Sequence, residues 1–99
     1  MPHLLAPVLD TVAAEPLRQA LLAYTEAGEA VLMDGSAVDR AGLACLQVMA
    51  SARESAAASG LAFDIRSSSE GLTAMVVLAG MESLLAPLEA NGTARRIAA

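Results

Sequence analysis

The chain has 99 residues, room for one domain with a single core and not for two, since so short a chain buries only about two-thirds of the surface it exposes when unfolded. Eleven acids face six bases, all arginine, for a net charge of −5, which argues against long-range attraction to nucleic acid or to an anionic membrane; with Tyr24 and Phe63 the only aromatics, base-stacking platforms are excluded too. The sequence is 56% hydrophobic, yet its apolar runs fall far short of the roughly 20 residues that cross a bilayer.

Leu4 to Leu9 is apolar but interrupted by Pro7, which cannot donate to a ladder, so it reads as an edge strand. Pro16 suits the first turn of a helix, and Leu17, Leu21 and Tyr24 repeat at helical spacing until Gly28. Ala30 to Met33 is a short continuous apolar run, the pattern of a central parallel strand covered on both faces. Asp34-Gly35-Ser36 is a turn cluster in which Asp34 is expected to bond the turn through its side-chain oxygens. A second helix is expected from about Gly42 to near Gly60, with Leu43, Leu46, Met49 and Ala50 on one face and Gln47 and Arg53 on the exposed side. Leu61, Phe63 and Ile65 alternate with polar or small neighbours, predicting a half-buried strand.

Ser67 with Glu70 three residues later has the form of a capping box, and Leu72, Met75, Val76 and Ala79 carry a third helix to Gly80. Met81 to Leu88 fits either a short strand or a further helical turn, Pro87 limits its length, and Asn91-Gly92 is a turn. The expected core spans about 5–88, with a frayed tail over 93–99 in which Arg95 and Arg96 form a solvated basic pair. Strands alternating with helices require parallel neighbours joined by right-handed crossovers, hence an α/β fold: one small, mostly parallel sheet of about four strands with helices packed on it.

Chemistry is sparse. His3, the only histidine, lies near the N-terminus, so no nucleophile, base and acid arrangement is expected, and one cysteine with one distant histidine matches no metal-ligand spacing. Cys45 reads as a small buried hydrophobe, and the methionines read as core filling. Asp34 and Asp39 could form a carboxylate pair near a strand end, although the turn role accounts for Asp34. Gly35 and Gly42 are isolated, and with no lysine to reach a phosphate they do not make a nucleotide cradle. The start, Met-Pro-His-Leu-Leu, has no basic region ahead of its apolar residues, so it does not read as a secretion signal and a cytoplasmic location is expected.

Val31 to Val38, then Leu46-Gln47-Val48-Met49 and Ala52-Arg53, resemble the central strand and following helix of STAS domains, which include bacterial anti-sigma-factor antagonists. Phe63-Asp64-Ile65-Arg66, then Ser69-Glu70-Gly71-Leu72 and Leu78-Ala79-Gly80-Met81, look like the family's third strand and its helix, so the similarity runs from about Leu5 to Leu85. The resemblance implies a non-enzymatic module without cofactor or metal that binds a cytoplasmic protein through the corner of Asp34, Ser36, Asp39, Arg40, Gly42, Leu43, Ala44 and Gln47. Implied partners are an anti-sigma factor, a chemotaxis signalling protein or the ATPase of the Mla phospholipid-transport system, with weak homodimerisation as a secondary expectation. No nucleic acid and no direct membrane insertion are expected.

Phosphoswitch members of the family begin this helix with Asp-Ser-Ser/Thr-Gly. Here Gly42-Leu43-Ala44-Cys45, or in a shorter register Asp39-Arg40-Ala41-Gly42, stands in that place and offers no acceptor hydroxyl, so no phosphorylation is expected. A reading of a different class is a small-ligand carrier, with the Asp34 to Ala44 corner and the Ser67 to Ser69 loop as a polar-rimmed pocket.

Overall fold

The computed structural model describes residues 2–90 and the backbone of 93–94. Strands β1 (His3–Leu4), β2 (Val8–Leu9), β3 (Val31–Asp34), β4 (Arg40–Ala41), β5 (Phe63–Arg66), β6 (Leu88–Glu89) and β7 (Thr93–Ala94) alternate with helices α1 (Thr11–Glu26), α2 (Leu43–Ala58) and α3 (Glu70–Leu78). The main sheet has the order β1-β3-β5-β6-β7, in which β1, β3 and β5 run parallel and β6 and β7 complete it antiparallel. With its helices packed on this mixed sheet, the chain has the expected α/β fold.

The register sorts the side chains. Val31 lies beside Phe63 and Met33 beside Ile65, and all four are buried. The intervening positions, Leu32, Asp34 and Asp64, are only half-buried, while Arg66 is exposed and pairs with Asp64 at 3.6 Å. The expectation that β3 is covered on both faces is therefore corrected. A face carrying Asp34, Asp64 and Arg66 keeps contact with water, because burying unpaired charge costs several kcal/mol per ion. The expected central position is corrected too: β3 sits between β1 and β5, and β5 is the middle strand of the five.

Three local boundaries differ from the sequence reading. The expected edge strand breaks at Pro7: β1 joins β3 at the edge of the main sheet, while β2 pairs with β4 in a separate two-stranded ladder. Helix α1 starts at Thr11, not at Pro16, because the Asp10 carboxylate accepts the Ala13 N–H at 3.1 Å and caps the first turn. Pro16 then lies inside the helix. The capping box at Ser67 does not form. Ser67 adopts a left-handed backbone with φ 54°, turning the chain out of β5, and Ser69 caps α3 two residues later.

One core runs from Leu5 to Leu88, drawing Leu17 and Leu21 from α1, Leu46 and Met49 from α2, and Leu72 and Val76 from α3. Met81 to Leu88 contains both of the alternatives it offered: a 3-10 helix over Glu82–Leu85, then β6 from Leu88. Thr93–Ala94, expected to fray, pairs with β6, while the expected Asn91-Gly92 turn and residues 95–99 lie outside the described residues. Among the described residues no helix is long and apolar enough to cross a membrane.

Gly71 marks the tightest junction, since a Cβ there would collide with the carbonyl oxygen of Asp39. We predict that Gly71→Ala costs about 1–3 kcal/mol by overpacking against rigid backbone. Gly28→Ala, at φ +72° but in open space, should cost only the left-handed backbone penalty of about 1–2 kcal/mol. Urea unfolding of both variants measures the two costs. A Gly71→Ala protein as stable as the parent would contradict the close approach.

Candidate functional site

The chain between β3 and β4 forms a corner at the carboxyl end of the parallel strands, the usual location of sites in open α/β sheets. It starts with a local turn. Asp34 Oδ1 accepts the Ser36 N–H at 2.9 Å, and the Ser36 hydroxyl and N–H together hold the Asp34 carboxyl below its ordinary range. Gly35 bridges outward: its N–H donates to Arg66 at 2.8 Å, and its carbonyl accepts from Ser69 at 3.2 Å. Val38 turns inward and is buried.

Two other segments then grip the chain. The Ser69 hydroxyl donates to the Val38 carbonyl at 2.6 Å and accepts the Leu72 N–H at 3.1 Å, joining the start of α3 to the corner. From the other side the Pro7 carbonyl accepts the N–H of Asp39 at 2.8 Å and of Arg40 at 3.3 Å. Gly42 N–H donates to Leu9 at 2.8 Å and leads into α2 as its N-cap, without a capping side chain.

These constraints leave a groove of about 280 Å³ between the first turns of α1 and α2, walled by Val8, Asp10 and Thr11 on one side and by Arg40, Leu43 and Ala44 on the other. Of the expected site residues, Arg40, Gly42, Leu43 and Ala44 meet on this groove. Gln47 follows one turn later on the exposed side of α2. Asp39 faces a different groove, against α3, while Asp34 and Ser36 build the turn behind the corner and are not among these walls. Thr11, absent from the sequence-based site, also lines the groove. Asp10 ahead of a helical run was the available signal, masked by the stronger helix-start signature of Pro16.

Leu43 does not share the core-facing side of α2. It is 49% exposed and lines the groove, because the buried stripe of the helix runs through Cys45, Leu46, Met49 and Ala56 and leaves Leu43 to one side. Arg53 is likewise corrected from exposed to half-buried, with its Nη2 donating to the Ala86 carbonyl at 3.4 Å. Cys45 is fully buried and its Sγ donates to the Asp10 carbonyl at 3.3 Å; burial, and then the Asp10 charge, push the thiol pKa up, which disfavours the nucleophilic thiolate. His3 stands edge-on to Tyr24, with ring centroids 6.2 Å apart, and is not a wall of the groove. Among the described residues no group of three or more His, Cys, Asp or Glu is placed to hold a metal ion.

A family model described as "Mlab, STAS domain" matches residues 5–87. No curated protein and no solved structure matches the chain.

We predict that Ser69→Ala costs about 1–2 kcal/mol, since it removes a helix cap and leaves the Val38 carbonyl without its donor. Urea unfolding reads this, and Ser68→Ala serves as the comparison. Asp34 gives a pH signature. Its folded-state pKa is lowered, so its stabilisation is present above the unfolded carboxylate pKa and is lost as pH falls through the folded one. The stability difference between the parent and Asp34→Ala should therefore be present at neutral pH and close in acid. A difference that does not change with pH would contradict the turn's dependence on the ionised carboxylate.

Proposed function

The chain belongs to the STAS domain family, and from that premise we propose that it is a constitutive docking module that binds one cytoplasmic protein through the groove at the start of α2. STAS domains generally act as non-enzymatic interaction modules, and this one is proposed to have no chemistry of its own. The observation that carries the reading is Leu43, a large apolar side chain half-exposed in the first turn of α2, which lines one groove with the exposed residue Arg40. An apolar anchor next to an arginine is the composition of an energetic hot spot. Gly42, Ala44 and Gln47 complete the contact surface, and Asp34, Ser36 and Asp39 set its shape.

The family description bears the Mla name, which favours the transport ATPase as partner over an anti-sigma factor or a chemotaxis signalling protein. The carrier reading has less support. The junction between the corner and the serine loop is occupied by the protein itself, with Ser69 bonded to Val38 and Gly71 backed onto Asp39.

Binding is proposed to be unswitched, because Ala44, or Ala41 in the shorter register, stands where the family's acceptor hydroxyl would be. Incubation with an anti-sigma-factor kinase and ATP should leave the corner unmodified by mass spectrometry. Stoichiometric phosphate on Ser36, or on Thr11 across the groove, would contradict this.

For the interface, affinity capture followed by purification supplies the partner, and calorimetry measures Arg40→Glu against it. The expected loss is about 2 kcal/mol. Unchanged affinity with an intact circular dichroism spectrum would remove Arg40 from the interface.

A further inference from the structure

Arg40 borders two grooves at once. On one side lies the groove with Leu43; on the other, a groove of about 240 Å³ runs between β4 and α3, walled by Asp39, Arg40, Met75 and Leu78 among others. Each groove is lined by an apolar side chain that the fold leaves uncovered, Leu43 at 49% and Leu78 at 80% exposure. Leu78 has no place in the core, which takes Leu72 and Val76 from the same helix.

Charge singles out the same point. Arg18 pairs with Glu15 at 2.9 Å, Arg66 with Asp64 at 3.6 Å, and Arg53 reaches the Ala86 carbonyl. Among the described residues Arg40 is the arginine whose side chain makes no hydrogen bond or ion pair. Its neighbours are acidic on both sides, Asp10 on the first groove and Asp39 on the second. The surface thus reads acid, base, acid from α1 to α3, with a leucine at each groove.

The geometry points to one continuous docking surface across both grooves for a protein segment that presents a carboxylate between basic residues, with apolar side chains on either side. The carboxylate meets Arg40, the basic residues meet Asp10 and Asp39, and the apolar side chains cover Leu43 and Leu78. Base, acid, base is the charge complement of the surface, and like charges brought opposite one another would disfavour binding. A domain of net charge −5 repels a uniformly acidic segment at long range, so the flanking bases are needed for approach as well as for contact. The inference rests on the docking reading above and extends it from α2 to α3, naming the chemistry of the segment bound.

A random-peptide display library selected on the immobilised full chain tests it, followed by fluorescence anisotropy with the strongest selected peptide. The selected sequences should carry an acidic residue flanked by bases and leucine-like side chains. Arg40→Glu should weaken binding about ten-fold or more, and replacing the peptide's acid with arginine should restore it on that variant. Leu78→Ser, on a side chain already exposed, should weaken binding several-fold without altering the circular dichroism spectrum.

Selected peptides without the central acid, or a charge swap that restores nothing, would overturn the assignment of Arg40's ligand. Binding weakened by Leu43→Ser but unchanged by Leu78→Ser would confine the surface to α2 and leave the docking reading standing. Binding unchanged by either leucine substitution would overturn both.

Discussion

Everything at the corner depends on a backbone segment held from two sides. The Pro7 carbonyl takes the N–H groups of Asp39 and Arg40, while the Ser69 hydroxyl takes the carbonyl of Val38. An irregular loop of this length would otherwise cost roughly 1–2 kcal/mol of backbone entropy per residue each time a partner ordered it. Bonded on both sides, it presents Arg40 and the start of α2 already in place, and that preorganisation is what a small interface needs to bind usefully. Gly71 is part of the same constraint, because only a residue without a side chain lets α3 approach the Asp39 carbonyl closely enough for Ser69 to reach Val38.

What lies exposed follows from how the core is filled. Two long helices pack against each other and against the sheet face of Val31, Met33, Phe63 and Ile65. The other face keeps its charged residues in water, and the first turn of α2 is covered on one side only. Leu43 is exposed there because the buried stripe of the helix passes through Cys45, Leu46 and Met49. Cys45 stays buried and ties α2 to the Asp10 carbonyl, so the two helix starts that wall the groove are linked through the core side while their outer residues stay free for contact.

The strongly periodic parts were legible in the sequence. Helix α2, the alternation of β5 and the apolar run of β3 depend on side-chain spacing that any packed arrangement must satisfy. The errors arose where two local signals competed. Pro16 resembles a helix start, but a proline is tolerated further in when Asp10 satisfies the first turn, and only the fold shows which holds. Ser67, Ser68 and Ser69 offer the same hydroxyl, and the left-handed turn at Ser67 decides that Ser69 is the cap. The β2 and β4 ladder is two residues on each strand, too short for any period, and its partners lie some thirty positions apart in the chain. Of the groove walls, Arg40, Gly42, Leu43 and Ala44 were expected from the family resemblance. Val8, Asp10 and Thr11 were not, because they reach the groove only through that ladder.

The central claim is that the start of α2 is the surface on which another protein sits. Site-specific photocrosslinking in the living cell tests it most directly, with a benzophenone amino acid placed at Leu43 in one strain and at exposed Glu26, the last residue of α1, in another. The account predicts one discrete crosslinked protein from position 43 and none from position 26. The same product from both positions, or a product from position 26 alone, would contradict it.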